Sequence, residues 1–224
     1  MELITSFGFL NGDFMNRSTK LSLALATLVT MLSIAPTAHA LIEVKGGYSL
    51  HTSSPAGLND QFSSFPKITQ LQSISFDAMG NVPLLPVGVG VRHETLKRNE
   101  TANGLGSEVN WSRTSILVNK RFIDTLIYLG PIATFSVASD FKYTSKNGVT
   151  TTKYKTDSQL NATIGLEAGA KLTIMRIGAE IGYHYAPMGE LKTDAGVPVT
   201  NGSGEKVTFD MSGPYARVVV GVGF

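Results

Sequence analysis

Apolar and polar residues alternate one by one along much of this chain. The clearest stretch is 160–171, where apolar residues such as Ile164 and Leu166 alternate with polar or small ones such as Glu167. A period of two is the period of a β-strand, because successive side chains of a strand point to opposite faces. Eight segments show this pattern and predict an all-β fold, with strands over residues 42–51, 68–79, 85–94, 109–120, 127–140, 160–171, 176–185 and 215–224.

Two of the eight segments are less regular than the others. Leu71 falls out of register at the start of the second segment, and three apolar residues follow one another at 116–118 in the fourth. The facing of the fourth segment is therefore ambiguous, and a β-bulge could lie there. Pro131 and Pro214 lack the N–H that a ladder needs, so we expect a bulge or local disorder at each.

The N-terminal segment has the three regions of a secretory signal peptide. Arg17 and Lys20 precede an uncharged, mostly apolar run over 21–34, and a small-x-small sequence ends at Ala38 and Ala40. This run is shorter than the roughly 20 residues that a membrane-spanning helix needs. We therefore expect export and cleavage after Ala40.

The first methionine is an unusual start for such a signal. Residues 1–14 place Glu2 and Asp13 ahead of the basic head, whereas a start at Met15 gives a signal of normal length. We expect Met15 to be the true start. The predicted organisation is a signal peptide over residues 1–40 and one domain over 41–224.

The composition limits what the exported domain can be. The net charge is +2, which argues against a nucleic-acid partner, and the chain has no cysteine, so it must be stabilised by burial or by membrane insertion. In lipid every backbone polar group must be bonded within the protein, and a chain without transmembrane helices can satisfy this only as a closed barrel. A hydropathy average over a sliding window does not detect the strands of such a barrel, because apolar and polar residues alternate along them.

A soluble lipocalin-like barrel is the main alternative, because its strands alternate too. Three features favour the membrane barrel. The polar faces are rich in Gly, Ser and Thr, which suit a crowded interior, whereas a water-facing exterior would carry more Lys and Glu. The apolar faces are aliphatic with aromatic residues towards the strand ends, as in a lipid band with aromatic girdles. The third feature is the terminal residue, Phe224, which has no role in a soluble barrel.

The connections between the segments alternate in length. Those near residues 80–83, 121–125 and 172–175 are short, whereas 52–67, 96–108, 141–157 and 187–206 are long and polar. Short periplasmic turns and longer external loops are typical of outer-membrane barrels. Asn147-Gly148 is a hairpin signal, so we expect the fifth and sixth segments to project as a ribbon beyond the membrane.

The end of the chain carries a resemblance to a known class of proteins. Val220 and Val222 alternate with glycines before Phe224, and this resembles the C-terminal signal of bacterial outer-membrane proteins. With the signal peptide and the eight segments, the chain resembles the small OmpA/OmpX-type barrels, without their periplasmic domain. The resemblance implies a Gram-negative outer membrane, contact with its lipids and lipopolysaccharide, and the barrel-assembly machinery as a partner during biogenesis.

The inward faces of the predicted strands carry ten ionisable residues. Five are acidic and five basic, and charges at bilayer depth are tolerated when they face the interior and pair with one another. An eight-stranded barrel is just wide enough to be filled by its side chains, so we expect a salt-bridged plug. Antiparallel counting places Glu167 opposite Glu180, and we expect Arg217 to bridge them. The ten are Glu43, Lys45, Asp77, Arg92, Glu94, Glu167, Lys171, Arg176, Glu180 and Arg217.

Signals of catalysis or metal binding are weak. No histidine pairs with another histidine or a cysteine at metal-ligand spacing, and we expect no metal and no cofactor. His51-Thr52-Ser53 resembles the His/Ser pairs of lipid A-modifying barrel enzymes, but a lone H-x-S carries little information. We expect a non-enzymatic outer-membrane protein with a structural or surface-interaction role. A narrow channel for small solutes and, less favoured, a lipid A-modifying enzyme are the alternatives, and the sequence names no external partner.

Overall fold

The computed structural model describes residues 42–81, 87–156 and 160–224, all of which belong to one compact unit. The expected signal peptide, its cleavage site and the proposed start at Met15 lie outside these residues. The described strands are β1 (Ile42–Thr52), β2 (Gln70–Asn81), β3 (Val87–Ala102), β4 (Leu105–Lys120), β5 (Ile123–Asp124), β6 (Ile127–Asn147), β7 (Thr150–Thr156), β8 (Ala162–Leu172), β9 (Met175–Tyr185), β10 (Pro187–Met188), β11 (Leu191–Thr193), β12 (Phe209–Asp210) and β13 (Gly213–Gly223), and a helix, α1, spans Ala56–Gln61.

Eight of these strands form a closed antiparallel barrel, as the alternation predicted. They pair in the cyclic order β1, β2, β3, β4, β6, β8, β9, β13 and back to β1. Closure leaves no free edge in the cycle, so each strand is hydrogen-bonded on both sides. We call the end with the short connections the turn end and the opposite end the loop end.

The alternation settles the ambiguous segments. In β4, Leu117 is fully buried and points into the barrel, while Ile116 and Val118 point outwards. Leu71 is in register opposite His51 and is also buried. It seemed misplaced in the sequence because the interior is polar along most of β2, but at the loop end the interior is apolar.

The irregularity in the ladders does not lie at the two prolines, where it was expected. The ladders run through Pro131 and Pro214 without a register shift, so the expectation of a bulge or disorder there was wrong. Each proline lies next to a place where one of its two ladders ends, where a missing N–H costs least. The bulge lies in the β4–β6 pair, where Val137 is an extra residue. Uninterrupted alternation over the fifth segment, 127–140, would face Asp140 inwards with Tyr128, but the bulge turns its side chain outwards, where it is 62% exposed.

The outside of the barrel is apolar. Ile74, Ile164, Ile181 and Val218 are each more than half exposed and represent an aliphatic surface that continues around the wall. Large exposed apolar surfaces are rare on proteins surrounded by water, and an apolar exterior over a polar interior is the arrangement of a barrel in lipid. Within the described ranges, no helix combines the length and hydropathy that membrane crossing requires.

Three barrel strands, β3, β4 and β6, continue past the barrel wall at the loop end, where β7 pairs with β6. β3 and β4 stay paired up to a two-residue turn at Asn103-Gly104, where both residues have positive φ. β6 and β7 form a second hairpin around Gly148 and Val149. The projecting ribbon near Asn147 is therefore present, but the expected loops over 96–108 and 141–157 are largely strand.

The loop end is closed by a compact structure that we call the external cap. It packs inward residues of the extended strands against α1 and the long β9–β13 connection, and its apolar core was missed because these residues are scattered among polar ones. Burial raises the pKa of the Tyr143 phenol, which donates or accepts a 3.1 Å hydrogen bond with Ser107. The buried core is Leu58, Ile68, Leu71, Leu96, Val109, Trp111, Phe141, Tyr143, Ala186, Met188, Leu191, Val207, Phe209 and Met211.

Candidate functional site

The structure places all ten sequence-predicted ionisable residues inside the barrel, each less than one tenth exposed. Together with side chains that were not predicted to belong to the charged interior, they form three successive clusters along the lumen. The additional members include Arg113, Arg121, His51 and His184, all buried. The arginines were missed because the facing of the fourth segment was ambiguous and because Arg121 seemed to lie in a turn.

The turn-end cluster is centred on Glu43 and Arg121. The guanidinium of Arg121 donates to both carboxylate oxygens of Glu43, at 2.6 and 2.7 Å, and its Nε donates to Glu167 at 3.1 Å. Lys45 lies 3.3 Å from both carboxylates. A bidentate arginine fixes orientation as well as charge, so this cluster links β1, β8 and the end of β4 into one rigid layer.

Two further predicted residues lie at the rim of the same end. Lys171 forms an ion pair with Asp124. Arg176 donates to the backbone carbonyls of Thr173 and Met175, at 3.0 and 3.1 Å, and its Nε lies 3.8 Å from Glu43. These contacts tie the short connections of the turn end to the charges inside the lumen.

The central cluster contains two arginines and two carboxylates that bond to one another. Arg92 donates to Asp77 at 2.9 and 3.1 Å and to Glu180 at 3.0 and 2.8 Å. Arg217 donates to the same two carboxylates, at 2.9 and 3.0 Å to Asp77 and 3.1 Å to Glu180. The hydroxyl of Tyr215 donates to Glu180 at 2.6 Å. Because β3 and β9 are opposite in the cycle of eight strands, the Arg92–Glu180 contact crosses the lumen.

One predicted grouping is only partly correct. Glu167 does pair with Glu180 in the ladder, and Arg217 does bond to Glu180. Glu167, however, turns to the turn-end cluster, where Lys45, Asn119 and Arg121 contact it. The two carboxylates therefore avoid repulsion by joining different clusters, and Asp77 takes the place that was assigned to Glu167.

The loop-end cluster surrounds Glu94. Arg113 donates to Glu94 at 2.5 and 2.8 Å, and His51 and Ser73 contact the other carboxylate oxygen at 3.1 and 2.5 Å. Arg113 also lies 2.5 Å from Nε2 of His184, whose ring stacks on Trp111 at 5.1 Å. The indole of Trp111 belongs to the core of the external cap, so this cluster joins the ionic interior to the cap.

The loop-end cluster contains serine, histidine and glutamate, but its geometry differs from that of a catalytic triad. Ser49 and Glu94 both contact Nε2 of His51, at 3.0 and 3.1 Å, whereas a triad orients its histidine through the other nitrogen. Nδ1 of His51 has no hydrogen-bond partner within the described ranges. The Ser53 hydroxyl contacts Met211 at 3.7 Å, so the H-x-S pair is not brought together. In the part of the chain that the structure describes, no three potential ligands are grouped as a metal site.

Comparison with known proteins gives only distant likenesses. No known protein family and no curated protein matches the chain. Among solved structures, neisserial surface protein A is 13% identical with a TM-score of 0.48, covering 82% of this chain and 97% of that one. A major outer-membrane protein of Thermus thermophilus is 12% identical with a TM-score of 0.48, covering 81% and 99%. The Escherichia coli outer-membrane protease OmpT is 8% identical with a TM-score of 0.37, covering 82% and 96%. At such identities no activity transfers to this chain.

The class of the protein follows from its own structure. A closed eight-stranded antiparallel barrel with an aliphatic exterior and a charged, hydrogen-bonded interior is a small barrel of the outer-membrane type.

Proposed function

We propose that this protein is an integral outer-membrane barrel with a non-conducting interior, and that it acts through its external cap in envelope structure or surface interactions. The observation that carries this proposal is the central cluster, where Arg92 and Arg217 each bond to Asp77 and Glu180 and the Arg92–Glu180 contact crosses the lumen. Two positive and two negative groups balance there, and every bond that an ion would have to displace is charge-assisted.

The external cap supports the second half of the proposal. Its apolar core holds α1, the two long hairpins and the β9–β13 connection in a defined shape. A surface with a fixed shape loses less conformational entropy on binding than mobile loops do. The cap is therefore suited to recognition outside the cell.

A narrow channel for small solutes is the alternative that the interior addresses most directly. In planar bilayers the wild-type protein should show no large, stable open state. An Arg92→Ala variant, which unties the central cluster, should show at most brief openings. Large, long-lived wild-type conductance would overturn the proposal in favour of the channel.

A lipid A-modifying enzyme is the second alternative. It predicts that overexpression changes the mass spectrum of lipid A, and that Ser49→Ala or His51→Ala abolishes the change. We expect an unchanged lipid A spectrum, because the Ser49–His51–Glu94 contacts are buried and lack triad geometry.

Export and placement are part of the same proposal. The mature protein should begin at Leu41 after removal of residues 15–40, reach the outer membrane with help from the barrel-assembly machinery through Val220, Val222 and Phe224, and contact outer-membrane lipids and lipopolysaccharide there. Mass spectrometry of protein purified from the outer-membrane fraction tests the processing. An intact 15–40 segment would contradict it.

A further inference from the structure

A row of lysines crosses the outer face of the extended sheet at the loop end. Lys97 of β3 is paired with Asn110 of β4, Asn110 with Lys142 of β6, Lys142 with Lys155 of β7, and Lys155 with Lys192 of β11. Five adjacent strands therefore carry four ammonium groups in one row. Neighbouring strands lie about 4.8 Å apart, so the lysines of adjacent strands are close to one another. We call Lys97, Lys142, Lys155 and Lys192 the lysine row.

The lysine row is electrostatically unfavourable by itself. Like charges directly opposite one another on neighbouring strands destabilise a sheet, and Lys142, Lys155 and Lys192 are consecutive partners. The carboxylate of Asp140 bonds to Lys142 at 2.8 Å, and Asp194 attracts the same lysine more weakly. Within the described residues, Lys97 and Lys155 form no salt bridge. No described carboxylate therefore forms a salt bridge that would neutralise Lys97 or Lys155.

The height of the lysine row above the apolar wall indicates which anion it can bind. On β3 and β4 the last aliphatic outward residues are Val91 and Ile116, and the row lies six residues further along each strand. Six residues span about 20 Å along a strand, or about 15 Å along the membrane normal at the usual barrel tilt. A phospholipid headgroup layer is only about 5–8 Å thick. The row therefore lies beyond it, at the level of sugars that project from a glycolipid.

We propose that the lysine row binds phosphate groups carried on the sugars of an outer-leaflet glycolipid of the lipopolysaccharide type. The inference rests on the outer-membrane placement proposed above. Flexible lysine side chains act as point charges for phosphate, and the amide of Asn110 adds a hydrogen-bond donor between two of them. Binding relieves the repulsion within the row and packs the glycolipid against the base of the external cap.

The test uses the full mature protein folded in neutral detergent and titrated with purified lipopolysaccharide by calorimetry. The variant is Lys97→Gln/Lys142→Gln/Lys155→Gln. The control removes the same charge elsewhere, as Lys67→Gln/Lys120→Gln/Lys206→Gln. We expect at least tenfold weaker binding by the row variant and wild-type affinity for the control. Lipopolysaccharide stripped of its phosphates should bind wild type no better than the intact lipid binds the row variant.

Three results would overturn the proposal. Equal losses of affinity in the two triple variants would mean that only the total charge of the protein matters. Equally tight binding of phosphatidylglycerol would mean that the row recognises an ordinary phospholipid headgroup. Unchanged affinity of the row variant would mean that the lysine row is not a binding site. If the row variant does not fold, chemical acetylation of the wild-type lysines provides the test. Lipopolysaccharide must then protect Lys97, Lys142 and Lys155 from acetylation more than it protects Lys120. Heat-dependent gel migration is measured in parallel, and its absence in wild type would contradict the proposed barrel function instead of the lysine row.

Discussion

Each arginine of the central cluster is bonded to two carboxylates, so its removal leaves more than one charge without compensation. Arg92 has four hydrogen bonds to Asp77 and Glu180 and is 3% exposed. Removing one partner of a buried ion pair costs about 3–5 kcal/mol. Arg92→Ala should lower the free energy of unfolding by about that amount, measured by urea titration in lipid vesicles with the fluorescence of the single tryptophan, Trp111.

An exposed ion pair provides the matched control. Lys142 and Asp140 are 2.8 Å apart, with side chains 61% and 62% exposed. Such pairs contribute at most about 1 kcal/mol, so Lys142→Ala should leave the urea midpoint nearly unchanged. Equal effects of the two substitutions would mean that water reaches the central cluster.

A glycine makes room for the second arginine. A Cβ on Gly47 would clash with Nε of Arg217, whose guanidinium passes over β1 to reach Asp77. Gly47→Ala should displace Arg217 and destabilise the barrel by about 1–3 kcal/mol, the usual cost of overpacking. Gly46→Ala is the control, because its Cβ would point outwards and meet nothing closer than 4.0 Å. A stable Gly47→Ala variant would show that Arg217 can reach Asp77 by another route.

At the level of single residues, the sequence predicted which side chains point into the barrel better than it predicted which of them bond to one another. Period two was enough to place ten ionisable side chains inside the barrel. It could not show that Glu167 turns away from Arg217, because strand tilt and side-chain length decide which groups at similar heights meet. Nor could it identify Arg121, since a residue at the end of a strand has no alternation beyond it to fix its facing.

At the scale of the element, β6 shows how one strand serves two environments. Phe135, before the bulge at Val137, is 51% exposed on the apolar wall, whereas Phe141, after it, is 1% exposed in the core of the external cap. Phe141→Ala should cost about 3–5 kcal/mol in cap stability and expose Lys146 and Lys153 to trypsin. Phe135→Ala should leave the cleavage pattern unchanged, and identical patterns would show that the cap does not depend on this ring.

The extended strands and the external cap show which elements the sequence could and could not predict. Asn103-Gly104 is a strong two-residue hairpin signal, and it could have shown that β3 and β4 continue through the predicted loop over 96–108. The core of the external cap gave no comparable signal. Its residues come from strand ends, a two-turn helix and an irregular connection, and none of these has a sustained period. The bulge likewise adds one residue without any local change of composition.

In the described residues, the core within the apolar wall is mainly ionic, with a small apolar cluster of Met79, Leu117 and Ile132, whereas the core of the external cap is apolar. In the lipid-embedded part, the exterior faces hydrocarbon, so apolar burial in the lumen contributes little and bonded charges fill it instead. Beyond the membrane, water returns and an apolar core becomes favourable again. The change occurs at the loop-end cluster, where Arg113 contacts both Glu94 and His184, and the ring of His184 stacks on Trp111.

Closure of the barrel predicts resistance to detergent. All eight barrel strands are hydrogen-bonded on both sides, so no edge is available from which SDS could open the sheet. The unboiled protein should remain folded in SDS and migrate differently from the boiled sample. Deleting β13 (Gly213–Gly223) separates β1 from β9 and should abolish the difference. Deleting β11 (Leu191–Thr193), whose strand partner β7 lies outside the cycle, should preserve it. A β13 deletion that still migrates in two forms would mean that the resistance comes from the ionic interior and not from closure of the ladder.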